Sequence, residues 1–514
     1  MSKFLKGTII LMAAGLITRI LGFINRIVLA RVIGEEGVGL YMMAFPTLIL
    51  VITITQMGLP VAISKSVAEA DAHGDERKIK KILAVSLAIT ISLSLIFTPS
   101  LIIAAPYLSK ILFTDPRTYY PLVAITPIIP IVAIASVIRG YFQGKQQMKP
   151  AAISLIIEQI VRITFIIILT KKFLPLGIEY AAAAAMVASI LGELASLIYM
   201  FSMFKLKKRF PVRKKFFQAV LSGRKILNEL LRVALPSTGS RMVGSISWFL
   251  EPIIVSHSLA IAGITASLAT KQYGSLTGYA LPLLMLPSFI THSLATSLVP
   301  AISEANSRGN RYLVEHRLQQ ALRFSLLTGG LSVIILFVFA EPIMLTMYGS
   351  TNGAQFIRLM APFFIFHYYQ GPLQAVLQAL DLARAALYNS LFGAVVKLVV
   401  IFVLASQPQF GINGAALGIV TGTLLVTLLH YTTVLKQVQF TIYVLGYVKF
   451  FFVSCIAGAS GHLFYHYYLG EGPQLLKLII GILFTALVYF ILLLFSKLIK
   501  RDDFTKIPFV KKFF

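Results

Sequence analysis

Acid is scarce in this chain, cysteine nearly absent, and charge of any kind thin. Its 514 residues hold 19 Asp and Glu against 46 Lys and Arg, and together these four types make up only 13% of the sequence. A soluble domain carries about a quarter charged residues, so the polar surface that a globular enzyme shows to water is missing. A single cysteine, Cys455, excludes an intramolecular disulfide and a cysteine-built metal site. No glycine-rich loop ends in Gly-Lys-Ser or Gly-Lys-Thr, which excludes a P-loop nucleotide site. A membrane-embedded enzyme of lipid-linked sugars needs clustered acids at the membrane face, whereas the expected outer loops hold scattered ones such as Glu35, Glu36 and Asp115. His462 and His466 stand four apart, but no third metal ligand lies near them in sequence. The chain reads as a non-enzyme without cofactor or metal.

What the chain has instead is apolar length. Hydrophobic residues make up 57% of it, and the mean hydropathy is +0.84. Crossing a bilayer takes about 20 apolar residues per helix. The hydropathy pattern predicts an all-α polytopic membrane protein with helices near 7–30, 38–63, 82–105, 119–138, 151–170, 180–204, 233–256, 276–302, 324–340, 359–377, 387–405, 412–434, 450–466 and 478–496. The opening Met-Ser-Lys-Phe-Leu-Lys resembles the start of a signal peptide. The apolar segment then runs past Val28 with arginines inside it and no small-residue cleavage site, so it reads as a retained first helix.

A net charge of +27 raises the question of nucleic acid, and the distribution of that charge answers it. With fourteen helices, the termini and even-numbered loops hold 33 Lys and Arg and the odd loops hold eight. Such asymmetry is the positive-inside signal, so both termini are predicted on the cytoplasmic side of a bacterial cell membrane, with no nucleic-acid partner. The loop carrying Lys205, Lys207, Lys208, Arg209, Arg213, Lys214 and Lys215 suits anionic lipid headgroups.

Five basic residues remain inside predicted spans: Arg19, Arg26, Arg162, Arg241 and Lys397. Glu158, Glu193 and Glu251 lie within or near spans as coupling or ion-pair carboxylates. A cation in hydrocarbon is costly unless it faces a cavity or a partner, so each is a candidate functional residue. Arg19 and Arg26 are seven apart and share a helix face with Gly15 and Gly22, glycines that leave room for a neighbouring helix or for a bulky anion. Arg162 follows Glu158 by four, the spacing of an intrahelical ion pair.

The chain also repeats itself at an offset of about 235 residues by alignment of short matches. Gly177-Ile178 before Ala181-Ala182 recurs as Gly411-Ile412 before Ala415-Ala416, and Ala62-Ile63-Ser64 recurs as Ala301-Ile302-Ser303, each before a polar loop carrying Gly74 or Gly309. The expected organisation is an N-lobe over 1–205, a basic cytoplasmic linker over 206–232, a C-lobe over 233–435, and a helix pair with a basic tail over 436–514. Two pseudo-symmetric six-helix lobes pair Arg162 with Lys397 and Arg19 with Arg241, and place a basic site between parallel repeats near mid-bilayer.

Three runs carry a family pattern. They are Thr18-Arg19-Ile20-Leu21-Gly22-Phe23 continuing to Gly34-Glu35-Glu36-Gly37-Val38-Gly39-Leu40-Tyr41, then Arg139-Gly140-Tyr141-Phe142-Gln143-Gly144, and Ala269-Thr270-Lys271-Gln272-Tyr273-Gly274. With the two-lobe repeat they resemble the multidrug, oligosaccharidyl-lipid and polysaccharide exporter superfamily, over nearly the whole chain. The resemblance implies a flippase of a lipid-linked glycan pyrophosphate that works by alternating access, with a role in spore cortex peptidoglycan. It implies that Arg19 lines a cationic cavity and that the last two helices help form a groove for the lipid tail. The second cavity arginine of the related flippases falls on Asn25 here, with Arg26 the next residue, and their eighth-helix arginine has no counterpart near Pro282. A cation-coupled multidrug exporter of the same fold is the nearest rival, and it calls for unpaired intramembrane carboxylates. A non-transporting assembly factor for sporulation is another.

Overall fold

A computed structural model describes residues 3–207, 222–438, 444–470 and 472–498. Lys208, Arg209, Arg213, Lys214 and Lys215 of the expected lipid-binding loop lie outside the described residues, as does the basic tail after residue 498. Every regular element among the described residues is helical. Among the described residues eleven helices are long and apolar enough to cross a membrane, or twelve if the pair broken between Met285 and Ser288 counts as one crossing. Fourteen separate crossings are therefore not reached by this measure. One reason is visible at the start, where the expected first two helices run on as a single element, Lys3–Gln56 (α1). Gly34 breaks it, with φ 65° and ψ −175°, a positive-φ conformation that favours glycine and kinks the chain without a loop. The expected tenth helix, Ala354–Ala379, carries Arg358, His367 and Gln370 and is not among the eleven.

The chain divides into two compact units, Met1–Gly278 with Ala405–Ile412, and Tyr279–Leu404 with Asn413–Phe514. In the first, α1 is followed by α2 (Leu59–Ala72), α3 (Glu76–Tyr107), α4 (Tyr119–Ile125), α5 (Ile128–Gly144), α6 (Met148–Phe173), α7 (Ile178–Lys207), α8 (Arg224–Ile261) and α9 (Ala266–Gly274). The seventh expected helix starts nine residues early, at Arg224 instead of 233, because the basic residues Arg224, Lys225 and Arg232 continue the helix in place of a loop. The second unit holds α10 (Leu281–Met285), α11 (Ser288–Ser307), α12 (Arg311–Val338), α13 (Ala340–Tyr348), α14 (Ala354–Ala379), α15 (Ala383–Ala405), α16 (Ile412–Gln437), α17 (Val444–Leu463) and α18 (Gln474–Phe495).

The internal repeat reappears as matching local structure. Gly74 and Gly309 both take positive φ, at 67° and 66°. The next residue caps the following helix in each case: Asp75 accepts from the Lys78 amide at 2.8 Å, and Asn310 accepts from the Leu313 amide at 3.0 Å. The cores correspond too. Leu59, Ile63, Val67, Ile82 and Phe142 are buried in the first unit, and Leu298, Ile302, Leu318, Leu373 and Val376 in the second. Outside these cores the surface is apolar, with Leu95 71%, Ile103 79%, Leu483 63% and Phe495 82% exposed. Water does not tolerate such a surface over many helices, and lipid does.

Candidate functional site

The five intramembrane cations divide by surroundings. On α1, Arg19 is exposed and Arg26 half-buried. A Cβ added to Gly15 or Gly22, each one turn before an arginine, would meet no atom of the described residues within 4 Å beyond the backbone of its own helix. Among the described residues those glycines therefore do not seat a neighbouring helix, and the ground beside Arg19 and Arg26 is open. Between the arginines, Asn25 is buried and its Oδ1 has no hydrogen-bond partner among the described residues. Arg241, on α8, is likewise exposed, and Gly244 one turn on also faces open space. α1 and α8 join through a Thr53–Ser245 hydroxyl hydrogen bond of 2.9 Å and an edge contact of Phe45 with Trp248, 5.8 Å between ring centroids.

Arg162 is held differently. Its Nη2 pairs with Glu158 Oε1 on the same helix, the partner its spacing predicts. Gly192 of α7 packs on the Glu158 carbonyl oxygen, and Arg139 of α5 approaches Oε1 of the next residue, Glu193, at 3.7 Å. The two acids are buried and the two arginines half-buried, all four on the helices α5, α6 and α7 that pack on one another. Arg139 is the member that sequence reasoning missed: hydropathy ended the fourth span at 138, whereas α5 continues to Gly144 and carries Arg139 inside. The signal was present in Glu193, an acid in an apolar helix with no basic residue three or four positions away.

Lys397 lies in the second unit, half-buried on α15, where Gly422 of α16 packs on its stem, a Cβ there falling 2.7 Å from Lys397 Cβ. Gly192 of α7 does the same to Arg162 in the first unit, at 3.1 Å. The pseudo-symmetric pair thus shares a packing socket. Glu251 is buried near Tyr273, and α8 runs on through Pro252 to Ile261, so neither a helix end nor a solvent-reached kink marks that position.

The acids read as scattered, Glu36 and Asp115, are in fact gathered. Arg117 donates to Glu36 Oε1 at 2.7 Å and to Asp115 through Nη2 at 2.9 Å and Nε at 3.1 Å. Thr270 donates to Asp115 at 2.7 Å and Ser267 to Glu36 at 2.6 Å. Burial alone would raise the Asp115 carboxyl, but the Arg117 guanidinium and the Thr270 hydroxyl hold it below its usual range. The cluster ties the break in α1 to the start of α9. The family runs meet here as well: a Cβ on Gly39 would fall 2.0 Å from the Thr270 carbonyl oxygen, and one on Gly274 2.1 Å from that of Glu35. In the second run, Gly144 brings α5 onto α2 at the Ser64 carbonyl, 2.7 Å from its Cβ position. These motif glycines are packing residues.

Comparison with known proteins gives the same family. A model of the polysaccharide biosynthesis protein family matches residues 4–306, and a MatE model matches residues 249–403. The chain is 56% identical to stage V sporulation protein B of Bacillus subtilis over 99% of this chain and 98% of that one. It is 26% identical to the lipid II flippase MurJ of the same organism over 82% of this chain and 81% of that one. Among solved structures, it resembles lipid II flippase MurJ in an inward closed conformation with a TM-score of 0.67 at 18% identity, covering 95% of this chain and 99% of that one. An inward-facing multidrug resistance transporter of the MATE family matches with a TM-score of 0.70 at 17% identity, over 82% and 94% of the two chains. The chain is a multi-pass membrane protein that belongs to the polysaccharide biosynthesis protein family, together with stage V sporulation protein B.

Proposed function

We propose that the protein is a flippase for a lipid-linked anionic glycan, with Arg19, Arg26 and Arg241 as the first cations to meet its phosphates. The observation that carries this reading is the open space beside Gly15, Gly22 and Gly244. Arginines whose neighbouring glycines admit no helix leave room for a headgroup, and the guanidinium matches phosphate oxygens in a bidentate fork. Lys397, seated on a glycine of the next helix, supplies further positive charge at membrane depth, and Arg162 adds to it only when Glu158 releases it. The lipid tail stays in hydrocarbon while sugars and phosphates cross a polar route, and alternating access of the two lobes provides it. A peptidoglycan precursor for the spore cortex suits the likeness to a sporulation protein, with the termini on the cytoplasmic side as the charge asymmetry directs.

Reconstituted vesicles test it, with a fluorescent polyprenyl pyrophosphate disaccharide as probe. R19Q and R241Q are each expected to slow flipping by about tenfold or more, the loss of one charge-assisted phosphate contact. Unchanged rates in both would overturn the assignment. In a sporulating strain that lacks the protein, the same variants should fail to restore spore cortex. Full complementation would favour a non-transporting assembly factor.

A further inference from the structure

One helix of the second unit exposes polar side chains where a lipid-facing helix exposes apolar ones. His292, Ser293, Thr296, Ser297 and Pro300 of α11 are all exposed. At 100° per residue they share an arc of about 140° over roughly 12 Å of helix. Thr291, Ala295, Leu298 and Ile302 are buried on the opposite side, where α12 and α14 pack. Gly371 brings the α14 backbone onto that side, its Cβ position 3.3 Å from the Thr291 carbonyl oxygen. α18 of the same unit shows the face that suits lipid: from Leu475 to Phe495 every exposed side chain is apolar. The internal repeat adds a second contrast. With Ala62-Ile63-Ser64 set on Ala301-Ile302-Ser303, the partners of Ser293, Thr296 and Pro300 in the first unit are Ile54, Met57 and Val61. Ile54 and Met57 are half-buried, and Val61 is 55% exposed. The fold therefore accepts apolar side chains at these positions, and the hydroxyls of α11 serve something other than helix packing.

We propose that this face of α11 binds the sugars of a glycan. Each hydroxyl donates to its own helix: Ser293 to the Phe289 carbonyl oxygen at 2.8 Å, Thr296 to that of Ser293 at 2.7 Å, and Ser297 to that of Leu294 at 2.8 Å. With its proton engaged there, a hydroxyl meets an outside ligand as an acceptor, through its lone pairs. Hydrocarbon has no donor to offer those lone pairs. A sugar brings several, as hydroxyl and amide groups spaced along its rings. The face also suits an uncharged ligand. No Lys, Arg, Asp or Glu stands between Lys271 and Glu304, and Glu304 pairs with Arg308 at 2.8 Å. A phosphate finds no lysine or arginine along this stretch, and a cationic drug finds no carboxylate. That the sugar belongs to a lipid-linked substrate rests on the flippase reading, whereas the binding of sugar by α11 does not.

The triple variant S293A/T296A/S297A removes the acceptors and leaves a good helix former at each position. In reconstituted vesicles, flipping of the polyprenyl pyrophosphate disaccharide is measured relative to the same pyrophosphate lipid without sugar. That ratio should fall by about tenfold or more, the loss of several neutral hydrogen bonds. Each single alanine, milder for folding, should lower it by about threefold. A ratio that stays at the wild-type value would overturn the sugar face, whether both probes keep their rates or slow together. Binding is read separately by saturation-transfer difference NMR of a soluble N-acetylglucosamine disaccharide with the full chain in lipid nanodiscs. Sugar signals are expected with the wild type and should weaken severalfold with the triple variant. Equal signals from the two chains, or none from either, would also sink the proposal. Signals that depend on these hydroxyls, in a wild type that flips neither probe, would keep the sugar face and remove the flippase reading instead.

Discussion

Arg19 and Arg162 are both arginines in apolar helices of the same unit, and the residue one turn before each decides how it is held. Before Arg162 stands Glu158, which pairs with it, and the adjoining helix closes on its stem through Gly192. Before Arg19 stands Gly15, which offers neither a charge nor a neighbour. A carboxylate at that position consumes the cation's charge inside the protein, whereas an open glycine leaves it for something from outside. Lys397 falls between the two. It has Gly393 one turn earlier, yet that glycine is packed, its Cβ position 2.2 Å from Val426 Cγ2.

The comparison breaks most visibly if the neutralised arginine loses its acid. E158Q leaves Arg162 charged and mostly buried beside a neutral amide, and removing one partner of a buried pair costs about 3 kcal/mol. A large drop in melting temperature is expected for the purified protein in detergent. The double variant E158L/R162L removes both charges and should recover most of the loss, since apolar replacement of a whole buried pair is close to neutral. An E158Q chain as stable as the wild type would mean that Arg162 is solvated like Arg19.

The socket shared by Arg162 and Lys397 comes next in size. G192A pushes a methyl against the Glu158 carbonyl oxygen, and G422A pushes one against the Lys397 stem, both at 2.7 Å. Overpacking of this kind costs about 1–3 kcal/mol. Both variants should unfold at lower temperature, and loss in only one would show that the two halves hold their cations by different packing.

How much of this was legible in the sequence depends on the range of the interaction. The Glu158–Arg162 pair is local, four residues on one helix, and spacing alone announces it. The caps at Asp75 and Asn310 are equally local, and the repeat of a glycine before each marks them. Arg139 with Glu193, Arg117 with Glu36, and Asp115 with Thr270 join distant segments, and hydropathy cannot say which helices meet. A polar residue at a span's edge also ends an apolar window early, which left Arg139 in a loop while its backbone continues the helix. The family runs were conspicuous for their glycines, but their work, close approach of backbones at Gly39 and Gly274, needs both partners in view. The difference between an open glycine and a packed one, Gly15 against Gly393, has no signature in the residues themselves.

That last difference gives the smallest effect on stability and the sharpest test of the open ground beside Arg19. Alanine fits a helix better than glycine by about 0.5–1 kcal/mol when no neighbour intrudes. G15A and G22A should therefore raise the melting temperature slightly, opposite in sign to G192A. Leucine at the same two positions starts from the same open Cβ positions, and G15L and G22L are expected to fold as well as the wild type. A headgroup lying against that face would be displaced by the added side chain, and flipping of the pyrophosphate probe should fall severalfold in each. Stable leucine variants with unchanged flipping would mean that the space beside Arg19 is used by lipid and not by substrate.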